Sequence, residues 1–219
     1  MSAPSAAMPC GLPMIIFDFD GTLVDSMGLC VRELEESFIA LNLTVPDQAE
    51  LEKCNGPTFE EAVHLLGVPE NLHADFLRIR SEKQMELLQS CQRMYEGVER
   101  LLSVLSSAAT LCIASNGRQL YLDKSIEHWG IGPYFTKIQG GDPSRTKGQL
   151  VADMIKEFNP VKAMMVGDRL TDILAGRENG IYTIAATYGF GSPLEWQEAD
   201  CRASSVEALL DLCLQLCGR

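Results

Sequence analysis

The chain has 219 residues, enough for one large domain or for a core domain with a smaller insertion. Its 30 acidic side chains outnumber its 18 lysines and arginines, and the net charge of −12 argues against nucleic-acid and anionic-membrane partners. The eight cysteines lack zinc-ligand spacing, and no apolar run is long enough to span a membrane. We therefore expect a cytoplasmic protein with reduced cysteines. The small, proline-rich residues 1–13 predict a flexible N-terminal tail rather than a signal peptide.

The first predicted strand ends in two carboxylates. This strand is predicted over about residues 14–18, where an apolar run leads into Asp18 and Asp20, and Gly21 then breaks the pattern. A simple Asp/Gly turn is one reading of this stretch. However, buried ionised carboxylates are unfavourable unless a cation or hydrogen bonds compensate them. The spacing Asp-x-Asp-Gly-Thr directly after an apolar strand therefore indicates a functional site.

Helical patterning dominates the next part of the chain. Apolar residues at three- and four-residue spacing predict four helices, over residues 26–41, 47–53, 58–66 and 70–90. In the last of these we expect Arg80 on the solvent-facing side. The next buried strand begins only at residue 110, much further on than the about 30 residues of an ordinary crossover. We therefore predict that residues 24–90 form an inserted four-helix-bundle cap domain, and that residues 14–23 and 91–219 form the core.

From about residue 98 the predicted strands and helices alternate. The strands are predicted over residues 110–114, 135–139, 161–166 and 181–185. The helices between and after them are predicted over residues 119–129, 148–158 and 171–178, with a last one from about 206. We expect Gly140-Gly141 to break the chain after the second of these strands. The alternation predicts an α/β fold with a Rossmann-like, doubly wound parallel sheet.

Polar residues follow three of the predicted strands. Asp18 and Asp20 follow the first, Ser115 and Asn116 follow the strand that ends at residue 114, and Asp168 follows a later one. Ligands of open parallel sheets bind outside the carboxyl ends of the strands, so we expect these side chains to share one crevice. Carboxylates without a neighbouring His or Cys favour Mg²⁺.

Other charged residues are candidates for the same crevice. Asp172 lies in the first turn of the helix after Asp168, where it is either a further acid of the site or a favourable helix-start residue. Lys147 could offset the negative charge of a carboxylate that faces a phosphate. Arg145 competes for that role, and we favour Lys147 because it directly precedes a predicted helix. Arg169 either contacts a substrate or lies on the surface, as most arginines do.

In their order along the chain, these motifs resemble those of the haloacid dehalogenase superfamily, over about residues 14–215. The four motifs are Asp18-Phe-Asp20-Gly-Thr22, Ile113-Ala-Ser115-Asn116, Lys147 and Gly167-Asp168-Arg-Leu-Thr-Asp172. The helical insertion after Leu23-Val-Asp-Ser26 resembles members with a small α-helical cap. Within that group, Gly56-Pro-Thr-Phe-Glu-Glu61 and Ser144-Arg-Thr-Lys-Gly148 are similar to phosphoglycolate phosphatases and related nucleotidases.

The resemblance implies a Mg²⁺-dependent phosphatase. Asp18 would attack phosphorus and form an aspartyl phosphate, and Asp20 would act as general acid and then general base. The resemblance places Mg²⁺ on the Asp18 carboxylate, the Asp20 backbone carbonyl and Asp168, with Asp172 and Thr22 in support. Asp20 also separates the chain from the dehalogenase branch, for which the second acid is not expected.

Phosphate binding and substrate choice are implied in the same way. Ser115, Asn116 and Lys147 would hold the phosphoryl oxygens. The loop over residues 53–57, with Gly56 and Pro57, would reach the crevice and select the leaving group, unless it is only a connector between helices. Arg118 is a further candidate for substrate contact, and it too could lie on the surface.

The leading hypothesis is a phosphatase for a small phosphorylated metabolite, similar to phosphoglycolate phosphatase. Alternatives are a phosphomutase of the β-phosphoglucomutase type, a nucleotidase and a pyrophosphatase. A non-catalytic phosphate-binding module is less favoured, because Asp18, Asp20 and Lys147 are all present. Both a monomer and a homodimer remain open.

Overall fold

A computed structural model describes residues 11–218, so that most of the predicted N-terminal tail lies outside the described residues. The strands are β1 (Met14–Phe17), β2 (Val24–Asp25), β3 (Arg93–Met94), β4 (Thr110–Arg118), β5 (Lys137–Gly141), β6 (Ala163–Gly167), β7 (Tyr182–Ala186) and β8 (Cys201–Ala203). The helices are α1 (Met27–Ala40), α2 (Gln48–Glu52), α3 (Phe59–Leu65), α4 (His73–Cys91), α5 (Val98–Leu105), α6 (Gln119–Trp129), α7 (Lys147–Phe158), α8 (Leu170–Glu178) and α9 (Val206–Cys217). Within the described part of the chain, no helix is both long enough and apolar enough to cross a membrane.

Six strands form one parallel sheet in the order β5-β4-β1-β6-β7-β8. The chain moves from β1 outward through β4 to β5, then returns to the other side of β1 with β6. This reversal is the topological switch point at which open α/β sheets bind ligands, and it lies at the carboxyl ends of β1, β4 and β6. The predicted α/β fold with a doubly wound parallel sheet is confirmed.

Alternate residues of β1 pack on opposite faces of the sheet. Ile15 and Phe17 belong to the cluster covered by α5, α6 and α9, whereas Met14 and Ile16 belong to the cluster covered by α7 and α8. All four residues of β1 are fully buried. A strand covered on both faces reads as an uninterrupted apolar run, which explains why this strand was recognisable in the sequence.

The helices α1–α4, here called the inserted helices, have an apolar cluster of their own. It includes Leu34 and Phe38 of α1 and Phe76 of α4, and the two phenylalanine rings meet edge to face at 5.1 Å. The antiparallel pair of β2 and β3 joins the two ends of this segment. Neither strand was predicted, because two residues are too few to show an alternation. The proposed domain boundary at residues 24–90 stays a prediction.

Two sequence expectations need correction, and one further strand was not predicted. The strand expected at residues 110–114 continues to Arg118, with an irregular register after Ala114, so Ser115 and Asn116 lie within β4 rather than after it. Gly140 and Gly141 end β5 instead of breaking the chain after it. A Cβ on Gly141 would lie 2.4 Å from the Asn116 carbonyl oxygen, so close strand approach explains this glycine. Strand β8 was missed because only three residues pair.

Candidate active site

Three buried carboxylates meet at the carboxyl ends of β1 and β6. Asp18 follows β1, Asp168 follows β6, and Asp172 lies in the first turn of α8. They are 5%, 0% and 1% exposed, and one oxygen from each lies within 4.8 Å of the others. The structure therefore brings together three acids that stand up to 154 residues apart in the sequence, 172 − 18 = 154.

Lys147 lies between two of these acids. Its Nζ is 2.9 Å from Asp18 Oδ1 and 2.6 Å from Asp172 Oδ1, and all three side chains are almost fully buried. Burial alone would lower the pKa of the lysine, but the two carboxylates outweigh it and raise that pKa. The competing Arg145 points elsewhere and pairs with the exposed Asp153. Lys147 is therefore the fixed cation of this site.

One lysine does not balance three carboxylates. Burial raises the pKa of Asp18 well above its usual range, and repulsion from Asp172 and Asp168 adds to the rise against the pull of Lys147. Burial and Asp172 likewise raise the pKa of Asp168 to about 7. Carboxylate oxygens grouped this closely, with excess negative charge, fit a hard divalent cation such as Mg²⁺.

Backbone and side-chain donors hold Asp168 in place. The Phe190 amide donates to Asp168 Oδ2 at 2.7 Å, and the Thr22 hydroxyl donates to Oδ1 at 3.3 Å. Gly21 passes directly over this carboxylate with a φ of +80°, and a Cβ there would lie 2.4 Å from Asp168 Oδ2. Both the backbone conformation and the contact thus require glycine at the point where the sequence pattern breaks.

Asp20 is held by a chain of side chains that the sequence did not reveal. The Tyr121 hydroxyl donates to Asp20 Oδ1 at 2.5 Å and accepts from Gln92 Nε2 at 2.6 Å. Gln92 Oε1 in turn accepts from Trp129 Nε1 at 2.7 Å. Burial raises the pKa of Asp20, while hydrogen bonds from Ser26 and Tyr121 oppose the rise. Tyr121 lies among apolar residues of α6 and resembles a core aromatic residue. The sequence therefore did not predict the hydrogen bond that its hydroxyl makes.

The residues predicted to bind phosphate lie beside Asp18, but they also make protein contacts. Ser115 is buried, and its Oγ accepts from the Gly117 amide at 3.0 Å. The Asn116 side chain donates to the Gly56 carbonyl at 2.9 Å. Asn116 therefore links β4 to the predicted specificity loop, a contact that no sequence pattern indicated.

Two arginines also reach the inserted helices. Arg169 donates to the Asn55 carbonyl and, at 2.8 Å, to Glu195. Arg118 pairs with Glu60 at 3.2 Å and stacks on the Phe59 ring with its Cζ 4.4 Å from the ring centroid. Both side chains hold the inserted helices against the sheet, and neither lines the cavity that contains Asp18.

Asp18 and Asp20 lie at the base of a small cavity between the strand ends and the inserted helices. Its volume is about 50 Å³, compared with the about 10–15 Å³ that one water molecule needs. Gly56 and Pro57, of the loop predicted to select the leaving group, line it.

The cavity is also lined by Glu33 and Arg80, which form a buried ion pair at 2.8 Å. The expectation that Arg80 faces solvent is wrong, since the residue is 3% exposed. Arg80 follows Phe76 and precedes Gln84 by four residues each, so one buried face of α4 carries all three. A charged residue at four-residue spacing within an apolar stripe could have identified Arg80 as buried. Glu33 gives the same signal in α1, four residues after the buried Leu29 and four before the buried Ser37.

Residues 15–186 match a family model described as haloacid dehalogenase-like hydrolase. The chain is 26% identical to a phosphoglycolate phosphatase of Vibrio parahaemolyticus over 218 residues, which cover 92% of this chain and 96% of the relative. It is 28% identical to a 5'-nucleotidase of Pseudomonas aeruginosa, covering 82% and 85% of the two chains. Among solved structures, a haloacid dehalogenase-like family hydrolase from Streptococcus pneumoniae superposes with a TM-score of 0.83 at 24% identity, covering 91% and 97%.

Proposed function

Because this chain belongs to the haloacid dehalogenase-like hydrolase family, we propose that it is a Mg²⁺-dependent phosphatase that hydrolyses a small phosphate monoester. The observation that carries the proposal is the cluster of Asp18, Asp168 and Asp172 around Lys147 at the switch point of the sheet. Relatives named phosphoglycolate phosphatase and 5'-nucleotidase support the same reaction class.

In the proposed reaction Asp18 is the nucleophile. Its carboxylate oxygen forms a bond to phosphorus as the ester P–O bond breaks, which leaves an aspartyl phosphate. Asp20, lining the same cavity, gives a proton to the departing alkoxide. Asp20 then takes a proton from a water molecule whose oxygen attacks phosphorus, and inorganic phosphate leaves as the bond to Asp18 breaks. Lys147, 2.9 Å from Asp18, would stabilise the negative charge of the phosphoryl group.

The proposed Mg²⁺ ligands are the carboxylates of Asp18 and Asp168 and the backbone carbonyl of Asp20. When bound, the ion would supply positive charge against the oxygens of the transferring phosphoryl group. Asp172 would act through Lys147 and through the Arg169 amide, which donates to its Oδ2 at 2.9 Å. Ser115 and Asn116 are proposed as further contacts to the phosphoryl oxygens.

The leaving group is proposed to be small. A cavity of about 50 Å³ is too small for a nucleoside. Two contacts hold the loop that lines it: Asn116 donates to the Gly56 carbonyl, and Arg169 donates to the Asn55 carbonyl. This favours a short-chain ester over a nucleotide. Excluding bulk water from the cavity would also strengthen the charge interactions of Asp18 with Lys147.

Removal of divalent metal tests the proposal. We expect release of inorganic phosphate from a short-chain alkyl phosphate in the presence of Mg²⁺, loss of at least about 100-fold with EDTA, and recovery when Mg²⁺ is restored. We also expect Mg²⁺ to raise the thermal midpoint of the wild-type protein, because an ion that binds only the folded state stabilises it. The midpoint of Asp168→Asn should respond much less, whereas that of the exposed control Asp142→Asn should respond fully. Turnover that persists in EDTA would contradict the metal role.

Tyr121 is proposed to position Asp20. In Tyr121→Phe we expect kcat to fall about tenfold for an alkyl phosphate, with little change in KM, because the hydrogen bond that positions Asp20 is lost. The loss should be smaller for phenyl phosphate, whose leaving group needs protonation less. Steady-state kinetics with both esters would measure this difference, with Tyr134→Phe as the matched control. Equal losses for the two esters would instead indicate a general packing defect.

A further inference from the structure

The inserted helices bring an incompletely bonded ion pair to the candidate active site. Glu33 of α1 and Arg80 of α4 are 1% and 3% exposed, and Arg80 Nε donates to Glu33 Oε1 at 2.8 Å. Within residues 11–218, two buried side-chain polar atoms have no hydrogen-bond partner, and they are Glu33 Oε2 and Arg80 Nη1. Both unpartnered atoms thus belong to this one pair, and both residues line the cavity that holds Asp18 and Asp20.

An ion pair that only held α1 to α4 together would not need two buried polar atoms without partners. Buried polar groups in folded proteins are almost always hydrogen-bonded, and each exception calls for an explanation. Here the guanidinium is fixed in place, since Arg80 Cζ stacks 3.8 Å from the centroid of the Phe59 ring and Nη2 contacts Cys30 Sγ at 3.9 Å. The pair therefore holds one donor and one acceptor without partners, on side chains that line the cavity beside Asp18 and Asp20.

The charge balance of the cavity decides which ligand suits this pair. Arg80 is already neutralised by Glu33, and two further carboxyl groups, those of Asp18 and Asp20, line the same cavity. Burial raises the pKa of Glu33 to about 7 against the pull of Arg80, and the nearby Asp20 adds to the rise. A carboxylate on the leaving group would bring another negative charge next to an acid that is already hard to ionise.

A hydroxyl group can bind both unpartnered atoms without adding charge. It can donate to Glu33 Oε2 and accept from Arg80 Nη1, whereas a carboxylate can only accept and an ammonium can only donate. The small cavity limits the carbon chain to a few atoms, and Leu29 and Cys54 give it an apolar wall. Resting on the proposed phosphatase function, we infer that Glu33 and Arg80 bind a hydroxyl of the leaving alcohol, so that the substrate is a short-chain polyol phosphate.

The wild-type protein tests this inference through two esters of equal chain length. With Mg²⁺ present, we expect kcat/KM for glycerol 3-phosphate to exceed that for propyl phosphate by at least about 100-fold, since a site built to bind a hydroxyl rejects an analogue that lacks it. Equal values for the two esters would overturn the inference, and so would a preference for phosphoglycolate or phosphoserine over glycerol phosphate. Hydrolysis of propyl phosphate without discrimination would leave the phosphatase function standing. Failure to hydrolyse any of the four esters would remove both proposals.

A double variant assigns the preference to this pair. Glu33→Leu with Arg80→Met replaces both charges by apolar side chains of similar size, a change that buried pairs tolerate far better than loss of one partner. We expect the preference for glycerol phosphate to fall to within about threefold. Arg78→Met, on the exposed side of α4 where Arg78 pairs with Glu82, should keep the wild-type ratio. An unchanged ratio in the folded double variant would show that other residues read the hydroxyl.

Discussion

Asp18→Asn is expected to lose phosphatase activity by about 10⁵-fold while remaining folded. The amide of asparagine is a poor nucleophile, so no aspartyl phosphate can form. The substitution keeps the shape of the side chain and removes one of three clustered negative charges, and repulsion from Asp172 and Asp168 already raises the pKa of Asp18. Folding should therefore be little affected. Single-turnover phosphate release and a thermal melt of the same preparation measure the two properties.

Asp211→Asn serves as the matched control for this experiment. Asp211 lies exposed on α9, and it should retain wild-type turnover. Loss of activity accompanied by loss of cooperative unfolding in Asp18→Asn would mean that the residue is structural. Retained turnover in a folded Asp18→Asn protein would rule out its role as nucleophile.

Lys147→Met should damage both activity and stability. Methionine fills a similar volume but leaves Asp18 and Asp172 without the cation that lies 2.9 Å and 2.6 Å from them. Breaking a buried ion pair by removing one partner typically costs about 3–5 kcal/mol in the free energy of unfolding. Loss of the positive charge near the phosphoryl group should also lower kcat by about 10²- to 10³-fold. Chemical denaturation and steady-state kinetics would measure these effects.

The control for this variant lies on the same helix. Lys156 is exposed near the end of α7, so Lys156→Met should leave both stability and kcat close to wild type. Because a divalent cation would replace part of the lost charge, Mg²⁺ should recover more stability in Lys147→Met than in Lys156→Met. If Lys147→Met unfolds at the same denaturant concentration as the control, the lysine does not stabilise the buried acids.

The sheet and its acidic edge could be predicted because their signals are local. A strand buried on both faces is a continuous apolar run, so β1 and β6 stand out in the sequence. The acids that follow them are conspicuous because burying ionised carboxylates is unfavourable unless a cation or hydrogen bonds compensate them. The parallel topology then implies that Asp18 and Asp168 meet, and the structure brings them together.

The side chains that shape the cavity were harder to recognise. Tyr121 and Gln92 act through hydrogen bonds between elements far apart in sequence, and each alone resembles an ordinary core or surface residue. Arg80 was assigned to solvent because neighbouring charges on α4 concealed its position in the apolar stripe. The contact between Asn116 and Gly56 depends on how the inserted helices lie on the sheet, which no sequence spacing encodes.

The central claim is that Asp18 carries the phosphoryl group during turnover. Acid quenching of the wild-type protein with a short-chain phosphate ester and Mg²⁺, followed by peptide mass spectrometry, tests it directly. We expect one added phosphoryl group on the peptide that contains Asp18, and none in Asp18→Asn or after EDTA. Rapid phosphate release from wild-type protein with no phosphoryl group on Asp18 at any quench time, or with the group on another residue, would contradict the account.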